Sequence, residues 1–515
     1  MARILQIILS LVLLLASARV FSQNTFQKLI PNAGTPWVRN AQTSIDGGVT
    51  LYCGVENRFG ASGGDIMIVS MNDLGDTVWT KVYGRWYFDR GYQLLRTSDN
   101  GYLIVGSTCV SASPNDDHIL LIRTDALGDI LWTKSYQGLD PWLSAIECID
   151  GGFLLLGHPN GGLYMIRVGE QGDLLWSKHH DRQDPPDFES GITASAVVQG
   201  ADSSFFVVGG RGSYSSFLSK IDRNGVVQWT RVATSNEWVG FNRIVRASDG
   251  GFIILGRSLE NNLLVKVDPL GDCVWTNAYS IPSGGWPREV LITSDDGFAM
   301  IGGTNAPSGP TDNIYFLKLD SEGNPLFSRA FGDTGWKVGQ GLVEAPDGGF
   351  FLVALVVNSG SPHPYSMYVV KTDANGFGEC DQHDIETTMG NVELEWNDLQ
   401  LQSFTFTPTE QAVSLMISSG ATLMPLCPVG INDGLASADS FELIPNPATD
   451  RFTVAFPLSY ARSQIEIFNA LGDRIMTSKA TSAQTSIDCS SFSRGVYLVK
   501  VTTPTTTVTQ RVVLE

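Results

Sequence analysis

The sequence predicts an all-β protein: a seven-bladed β-propeller, then a short β-containing linker region, then a small C-terminal β-sandwich. The first observation is a recurring phrase, clearest from Asp249 to Thr276 as DGGFIILGRSLENNLLVKVDPLGDCVWT. The second is that its apolar runs are short, rich in branched residues and bounded by glycine turns, which is typical of strands. The third is that no repeat shows the apolar period of 3.6 residues that an amphipathic helix requires.

The phrase recurs at a nearly constant spacing. Its first Asp falls at Asp46, Asp99, Asp150, Asp202, Asp249, Asp295 and Asp347, in steps of 53, 51, 52, 47, 46 and 52 residues. A period of this length indicates a propeller or a solenoid. Each copy has two turn signals, Asp-Gly-Gly and the glycine after Lys-x-Asp, which supply the positive φ that tight hairpins need. Each copy therefore predicts four antiparallel strands, which make one propeller blade.

The two ends of the repeat array predict a closed ring. The array opens with the second half of a phrase, from Thr25 to Leu29, and finishes with the first half, from Tyr368 to Asp373. The N-terminal strand can then complete the last blade and remove two exposed sheet edges. We expect seven blades over residues 23–380.

The N-terminus predicts export. Residues 1–22 combine Arg3, an apolar stretch from Ile4 to Ala16 and a cleavage site at Val20-Phe21-Ser22, as in a secretory signal peptide. Cleavage after Ala18 is an alternative. A retained membrane anchor is a weaker alternative, because the apolar run is short for a membrane span.

Residues 381–440 lack the blade phrase. The runs from Thr405 to Thr409 and from Val413 to Ile417 indicate a few strands that could pack on the propeller. Residues Gly430 to Asp439 are small and polar, which is typical of a linker. From 441 to 515, alternating apolar residues and glycine-marked turns predict a β-sandwich.

Three motifs follow one another in this C-terminal domain: Pro445-Asn446-Pro447, Asn469-Ala470-Leu471-Gly472 and Gly495-Val496-Tyr497-Leu498. With them, the domain resembles the type A sorting domain of type IX secretion. The resemblance implies the type IX secretion machinery as a partner and a Gram-negative bacterium whose mature protein is secreted or held on the outer cell surface. It also implies removal of the domain, at the linker before Phe441, with release or attachment to surface lipopolysaccharide.

The propeller phrase partly resembles quinoprotein-type repeats, in which an Asp-x-x-x-Gly turn precedes a docking Trp. It departs from them in having seven copies, and no cofactor site carries over, so we expect no cofactor. A calcium loop at Asp373 to Gly376 is a weaker alternative to a plain turn, because calcium needs six or more oxygens. A metal site at His179-His180-Asp181 with Asp184 is a weaker alternative to a solvated loop.

Charge and cysteine content limit the function classes. The chain has 34 basic and 53 acidic residues, a net charge of −19, which argues against nucleic acid or an anionic membrane surface as a partner. The seven cysteines lack the close-set pairs of a zinc site. Cys380 with Cys427 is the first choice for a disulfide and Cys53 with Cys109 the second.

The variable loops mark the candidate site. Connections in an antiparallel blade alternate between the two sides of the disc, so both tight turns share one face, the turn face. Both sets of variable loops share the other, which we call the loop face. Its first set includes Val55 to Gly64, Ser107 to Asp117, Gly303 to Asn313 and Val357 to Tyr365. Recognition residues commonly lie on loops of a rigid scaffold.

Six tryptophans fall in the second loop set, 8 to 13 residues ahead of the Asp-Gly-Gly position: Trp37, Trp86, Trp142, Trp238, Trp286 and Trp336. Cationic residues, Arg288 among them, follow several of these. If the next strand is the innermost, these indoles gather at the mouth of the central channel, where flat rings beside polar groups suit sugars or peptide side chains. The alternative is packing between blades. We expect the five tryptophans within the phrase in the core: Trp79, Trp132, Trp176, Trp229 and Trp275.

The leading hypothesis is a non-enzymatic binding or adhesion protein whose ligand is a glycan or a protein. An exported enzyme acting on polysaccharide or peptide at the loop face is the alternative, and a purely structural surface protein is a third. The lack of a clustered set of His, Asp and Glu favours binding over catalysis. The fold alone does not decide among the three.

Overall fold

A computed structural model describes much of the chain. The described residues are 24–30, 40–56, 64–85, 89–109, 117–137, 144–157, 162–181, 191–212, 214–259, 261–281, 284–305, 312–332, 336–357, 365–418, 424–425, 442–444, 448–455, 463–469, 474–480, 484–502 and 507–514. The predicted signal peptide and the 430–439 linker lie outside them. The chain divides into two compact units, Met1–Pro425 and Leu426–Glu515. In the described part, no helix has the length and apolar character needed to cross a membrane.

The propeller consists of one N-terminal strand and seven repeats. Its strands are β1 (Phe26–Ile30); in blade 1, β2 (Ala41–Thr43), β3 (Val49–Glu56), β4 (Gly64–Met71) and β5 (Thr77–Gly84); in blade 2, β6 (Asp89–Arg96), β7 (Tyr102–Cys109), β8 (Asp117–Thr124) and β9 (Ile130–Gln137); in blade 3, β10 (Ser144–Glu147), β11 (Phe153–Gly157), β12 (Leu163–Val168) and β13 (Leu174–Asp181); in blade 4, β14 (Ile192–Gln199), β15 (Phe205–Arg211), β16 (Ser215–Ile221) and β17 (Val227–Thr234); in blade 5, β18 (Val239–Arg246), β19 (Phe252–Ser258), β20 (Asn261–Val267) and β21 (Cys273–Ser280); in blade 6, β22 (Gly285–Ile292), β23 (Phe298–Asn305), β24 (Asp312–Leu319) and β25 (Pro325–Phe331); and in blade 7, β26 (Trp336–Glu344), β27 (Phe350–Val357) and β28 (Tyr365–Thr372).

The ring closes as the sequence predicts. Strand β1 pairs antiparallel with β28, with Phe26 opposite Lys371, and so supplies the fourth strand of blade 7. The strands of each repeat are neighbours in chain order, which gives seven antiparallel sheets. The prediction of an all-β, seven-bladed propeller with a C-terminal β region is confirmed.

The Asp of the first turn stabilises its own blade. In blade 5, Asp249 Oδ1 accepts a hydrogen bond from the Gly251 backbone N–H at 2.9 Å, and Asp249 Oδ2 lies 2.6 Å from Lys266 Nζ. The hydrogen bond from Lys266 is the main cause of the lowered pKa of Asp249. The same ion pair occurs in five other blades, between Asp99 and Arg123, Asp150 and Arg167, Asp202 and Lys220, Asp295 and Lys318, and Asp347 and Lys371. The Lys or Arg at the first position of the Lys-x-Asp phrase therefore stabilises the preceding Asp-Gly-Gly hairpin of the same blade through an ion pair.

The late aromatic of each repeat contacts the next blade. Trp176 of blade 3 lies on Gly225 of blade 4, a turn glycine with φ of +79°, and a Cβ there would lie 2.8 Å from the ring. The same contact joins Phe26 to Gly75, Trp79 to Gly128, Trp132 to Gly172, Trp229 to Gly271, Trp275 to Gly323 and Phe327 to Gly376. The five phrase tryptophans are therefore half-buried at the junctions between blades, at the edge of the core and not inside it.

Residues 382–418 and 424–425 form a circumferential belt, which the sequence did not predict. Its strands are β29 (Gln382–Asp384), β30 (Thr388–Asn391), β31 (Glu395–Leu399), β32 (Gln402–Thr405), β33 (Thr409–Ala412), β34 (Met416–Ser418) and β35 (Met424–Pro425). They pair in turn with the outer strands β25, β21, β17, β13, β9, β5 and β1, so the belt passes every blade in reverse order. Each blade thereby becomes a five-stranded sheet. A few packed strands were expected here; the structure shows one for every blade.

The belt advances one blade every seven residues. Ile385, Val392, Leu399, Phe406 and Val413 stand seven apart in the sequence. Each packs against a hydrophobic core between two neighbouring blades. Hydrogen bonds also hold the belt in this position. Thr133 and Ser177, which directly follow two of the phrase tryptophans, donate to the carbonyls of Val413 and Phe406.

The belt also corrects the expectation of a solvated loop at His179-His180-Asp181. These residues end strand β13, which pairs with β32. His180 is fully buried with Nδ1 2.8 Å from Ser403 Oγ, and its burial lowers its pKa to about 4. His179 stacks on Tyr164 with ring centres 4.1 Å apart. Asp184 lies outside the described residues.

For one of the two predicted disulfides, the structure describes one of the two cysteines. Cys380 is disulfide-bonded, and its predicted partner Cys427 lies outside the described residues. The pairing of Cys53 with Cys109 is wrong, because neither cysteine forms a disulfide. Each is buried in its own blade, Cys53 on β3 and Cys109 at the end of β7.

The C-terminal unit is a small sandwich. Its strands are β36 (Glu442–Ile444), β37 (Arg451–Ala455), β38 (Gln464–Asn469), β39 (Arg474–Lys479), β40 (Gln484–Asp488), β41 (Gly495–Thr502) and β42 (Thr507–Leu514). Sheet β36-β37-β40 and sheet β39-β38-β41-β42 share one core, which includes Phe452 and Val499. Of the sorting motifs, Gly495 begins β41 and Tyr497 is buried, its hydroxyl donating to Ser493 O at 2.8 Å. Pro445, Asn446, Pro447 and Gly472 lie outside the described residues.

The contact between Trp176 and Gly225 gives a first prediction. The Gly225→Ala variant should be destabilised by at least about 1 to 2 kcal/mol, because an L side chain is strained at positive φ and the new methyl would clash with the Trp176 ring. Gly210→Ala is the matched control, since no atom lies within 4 Å of a Cβ at Gly210 in strand β15. Urea unfolding of both variants measures the difference. Equal stability of the two would contradict the contact.

A second prediction concerns the belt. The Leu399→Ala variant should lose about 1 to 3 kcal/mol, because the side chain packs against the core between blades 3 and 4. Asp398→Ala removes the exposed neighbour on the same strand and should change stability little. The midpoint of thermal unfolding compares them. A belt that merely lies on the surface would leave both variants like the wild-type protein.

Candidate functional site at the mouth of the channel

The first strand of every blade lines a central channel. Strands β2, β6, β10, β14, β18, β22 and β26 all contribute to the wall of a cavity of about 660 Å³. Five of these strands carry a β-bulge at an equivalent place, and the extra residues Tyr92, Ser195, Asn242, Arg288 and Gln340 all line the channel. A β-bulge bends its strand locally and changes the direction of nearby side chains, and bulges are frequent at sheet edges and next to functional sites. The innermost strands are those that follow the tryptophan loops, as the sequence argument requires.

Polar side chains on or just before the inner strands join neighbouring blades. The Asn40 side-chain amide donates to Leu94 O at 2.9 Å and accepts from Leu94 N at 3.0 Å, which joins blade 1 to blade 2. The Gln93 amide makes the same exchange with Ala145 of blade 3, at 3.0 and 2.6 Å. Between blades 5 and 6, Arg243 Nε lies 3.3 Å from Glu289 Oε2. These ties make the channel wall a rigid frame for whatever lies at its mouth.

The structure describes the side chains of two of the six predicted tryptophans, one just before an inner strand and one in an inner strand, and neither is among the residues that line the cavity. Trp238 directly precedes β18 and is half-buried, with its ring over Gly240, where a Cβ would lie 2.7 Å away. Trp286 lies in β22 and is half-buried, and the Arg257 guanidinium carbon is 5.4 Å from its ring centre. Trp37, Trp86 and Trp142 lie outside the described residues, as does the side chain of Trp336. A converging ring of six indoles stays a prediction.

Arg288 is the bulge residue of β22, and it is exposed to the channel. Although part of its side chain is exposed, the protein atoms around its guanidinium, and then the positive charge of Arg243, lower its pKa, but an arginine stays charged at neutral pH. In the described part of the chain no carboxylate pairs with Arg288. The predicted Trp286 and Arg288 are therefore two positions apart on one inner strand, at the end nearest the loop face.

Sequence reasoning missed three residues that lie beside them. Arg257 of β19 and Asn262 of β20 are opposite each other in blade 5 and face blade 6. Tyr315 of β24 faces back from blade 6 and belongs to the core between the two blades. Burial raises the pKa of Tyr315, and the charges of Arg288 and Arg257 oppose that rise, so both guanidiniums lie near the phenol. No motif marks these residues, because they come from three strands of two repeats.

A pair of buried carboxylates lies between blades 1 and 2. Asp89 begins β6, is 1% exposed, and has a pKa that burial raises to about 6. Thr108 and Arg85 oppose the rise, and Asp65 of β4 adds to it. Arg85 Nε lies 3.7 Å from Asp89 Oδ1. Over the described residues, no group of three or more His, Cys, Asp or Glu side chains is arranged to hold a metal ion.

Comparison with known proteins identifies the C-terminal domain. Residues 442–515 match the family described as "Secretion system C-terminal sorting domain". The predicted sorting domain is thereby confirmed, and the chain is exported by type IX secretion to the cell surface or the exterior. No curated protein matches the chain.

Three solved structures are remotely similar to the chain. PorZ of Porphyromonas gingivalis, described as an essential bacterial surface component of the type-IX secretion system, is 10% identical with a TM-score of 0.33, over 91% of this chain and 73% of that one. A protein from Dyadobacter fermentans is 11% identical with a TM-score of 0.38, over 67% of this chain and 98% of that one. A protein from Lactobacillus plantarum is 10% identical with a TM-score of 0.32, over 58% and 94%. Likenesses this remote carry no argument about function.

The raised pKa of Asp89 predicts a pH dependence. In the folded protein Asp89 holds its proton up to about pH 6, whereas its ordinary pKa is 3.8. The folded state binds more protons between these values, so Asp89 lowers stability as pH rises from about 4 to 6. The Asp89→Asn variant should therefore gain stability relative to the wild-type protein as pH increases from 4 to 7.

Melting temperatures at pH 4, 5, 6 and 7 test this difference, with Asp398→Asn as the exposed control. A difference between Asp89→Asn and wild type that stays constant over this range would contradict the assignment.

Proposed function

We propose that the exported propeller is a non-catalytic binding protein, used for recognition or adhesion at the cell surface. Its ligand, a glycan or a protein, docks on the loop face at the mouth of the central channel. The observation that supports this proposal is a pair of partly exposed indoles in neighbouring blades, Trp238 just before β18 and Trp286 in β22. Arg288, two residues beyond Trp286, lines the channel and has no carboxylate partner among the described residues.

The chemistry of this place suits binding. An indole offers a flat apolar face to a sugar ring or a side chain, and an adjacent arginine supplies several directed hydrogen-bond donors. The inter-blade ties at Asn40, Gln93 and Arg243 and the outer belt hold the blades in fixed positions, so little ordering is required when a ligand binds. The sorting domain supports an extracellular location for this binding, because a protein outside the cell encounters glycans and the proteins of other cells.

We extend the proposal to maturation. Cleavage at the linker before Phe441 would leave the propeller either free or attached to surface lipopolysaccharide. The mass of the mature protein recovered from medium and from cell envelopes distinguishes the two fates. An intact C-terminal domain on the mature protein would overturn the cleavage step.

A second candidate function is an enzyme acting on polysaccharide or peptide, which the Asp65 and Asp89 pair favours. A buried carboxylic acid with a pKa of about 6 is poised for general acid–base work near neutral pH. Against it, Asp89 is 1% exposed and is not among the described residues that line the channel. Binding therefore stands ahead of catalysis.

Glycan and peptide arrays probed with the purified full chain test the proposal. Trp238→Ala and Trp286→Ala should each weaken binding of any ligand found by about tenfold or more, as for aromatic residues at the centre of an interface. Phe404→Ala is the control, an exposed aromatic residue on belt strand β32, away from the channel, and it should leave affinity unchanged.

Two results would overturn the binding proposal. Unchanged affinity in both mouth variants would place the ligand elsewhere, and loss of the fold would assign these tryptophans to packing between blades. Release of shortened glycan or peptide products by the wild-type protein, abolished in Asp89→Asn, would instead favour the enzyme.

A further inference from the structure

We infer that the central channel of the propeller is a second binding site, which takes a carboxylic acid with an apolar chain, such as a medium-chain fatty acid. The carboxylate binds Arg288 between the amides of Asn242 and Gln340, and the chain extends along the channel toward the turn face. This site lies inside the channel. It therefore goes beyond the docking of a glycan or a protein at the mouth and does not depend on it.

The channel has room for such a ligand. Its cavity of about 660 Å³ is within the range of roughly 300 to 1,000 Å³ that is usual for small-molecule sites. The inner strands of all seven blades line it, so a ligand on the channel axis has protein around it on every side. Each inner strand runs from the loop face to the turn face. Residues later in the strand therefore lie deeper in the channel.

Three polar side chains from consecutive blades form the upper part of the site. Asn242, Arg288 and Gln340 are the bulge residues of blades 5, 6 and 7, and each stands seven residues before the Asp of its first turn. Equivalent positions in neighbouring blades lie side by side, so Arg288 stands between the two amide residues on the channel wall. Gln340 is 9% exposed, yet neither its amide nor that of Asn242 has a hydrogen-bond partner among the described residues. All three side chains are therefore available to a ligand.

Arg288 is the one charged residue of the described channel wall without a partner. The charged residues that line the cavity are Arg243, Arg288, Glu289 and Glu344. Arg243 pairs with Glu289 at 3.3 Å. Glu344 accepts hydrogen bonds from the Ser294 backbone N–H at 2.8 Å and from the Ser294 hydroxyl at 2.6 Å. A guanidinium matches a carboxylate with two parallel hydrogen bonds, so a carboxylate is the group that this wall lacks.

An apolar ring lies deeper in the channel. Four residues before the Asp of the first turn, five blades contribute an apolar residue to the cavity wall: Leu95, Ile146, Val245, Leu291 and Val343. A strand advances about 3.3 Å per residue, so this ring lies roughly 10 Å beyond the bulge residues along each strand. All of these residues except Val343 are half-buried, so part of each side chain stays uncovered in the channel.

The polar residues and the apolar ring together select the class of ligand. A carboxylate accepts hydrogen bonds from the guanidinium and the amides, and a methylene chain reaches the ring and covers its apolar surface. A sugar would instead place hydroxyl groups against the ring, where they would lose their hydrogen bonds to water. A bare inorganic anion would leave the ring uncovered. A fatty acid matches both ends of the channel.

Titration calorimetry of the purified full chain with butanoate, hexanoate and octanoate, below the concentrations at which micelles form, tests this inference. Each added methylene that becomes buried should strengthen binding by up to about fourfold. Octanoate should bind at least about tenfold more tightly than octanamide, its uncharged counterpart of similar shape, because a hydrogen bond to a charged group contributes that much.

Arg288→Gln removes the positive charge and should weaken octanoate binding at least about tenfold, with little change for octanamide. The residue is exposed, so the variant should keep the melting temperature of the wild-type protein. Arg246→Gln is the matched control. Arg246 is an exposed arginine at the end of β18 that is not among the residues lining the cavity, and its variant should bind like wild type.

Leu291→Asn separates the chain from the carboxylate. It places an amide of similar size in the apolar ring, so octanoate should lose most of its advantage over butanoate. The preference for octanoate over octanamide should remain, because Arg288 is unchanged. A variant that keeps the full dependence on chain length would overturn the position of the chain. The series of acids with the wild-type protein tests the same point without a substitution.

No binding of octanoate, equal affinity for octanoate and octanamide, or unchanged binding by Arg288→Gln would each overturn the channel site. Binding of butanoate as tight as that of octanoate would do the same. The glycan and peptide arrays test the ligand at the mouth separately, so failure of one site leaves the other standing.

Discussion

Packing of an aromatic ring on the turn glycine of the next blade is the contact on which the rest of this structure depends. Trp176 on Gly225 shows why it works: the glycine adopts φ of +79° at no steric cost and leaves room for the ring. A tyrosine four residues after the aromatic reinforces it in several blades, for example Tyr83, whose hydroxyl donates to Gly128 O at 2.6 Å. Phe26, carried by the N-terminal strand, makes the last contact on Gly75 and so closes the ring.

The belt depends on that ring and then protects it. A propeller blade ends in an outer strand whose backbone groups would otherwise invite pairing with another chain. Segment 382–425 pairs with all seven outer strands, and its apolar residues fill the grooves between blades. Because it passes the blades in reverse order, each blade is joined to its neighbours by the repeat connections and again by the belt. The outer strand of each blade is therefore paired on both sides, and the new outer edge is a short belt strand of two to five residues, which limits pairing with another chain.

Many of the repeated polar groups in this frame are paired: the turn aspartates pair with Lys or Arg, and Asn40 and Gln93 bond to backbone across blades. Buried polar atoms without a hydrogen-bond partner among the described residues nevertheless occur at several junctions. They include Asp89 Oδ2 between blades 1 and 2, and the Asn262 amide and Tyr315 hydroxyl between blades 5 and 6. Local departures from otherwise consistent packing are where function is expected.

What the sequence determined by itself is the local and repeated part of the structure. Asp-Gly-Gly and Lys-x-Asp-x-x-Gly specify hairpins through contacts a few residues apart, and the half-phrase around Phe26 predicts closure. The sorting motifs identify the C-terminal domain, and the spacing of Trp286 and Arg288 ahead of the Asp-Gly-Gly position predicts a site at the channel mouth.

Only the tertiary structure decided what lies across strands distant in the chain. The belt has a seven-residue period, from Ile385 to Val413, but that spacing acquires meaning only once the distance between blades is known. Cys53 and Cys109 looked like a pair in sequence and are held apart by the sheets that bury them. Arg257, Asn262 and Tyr315 meet because the register of blades 5 and 6 turns them toward one another, and register between blades is a long-range property that no local pattern encodes.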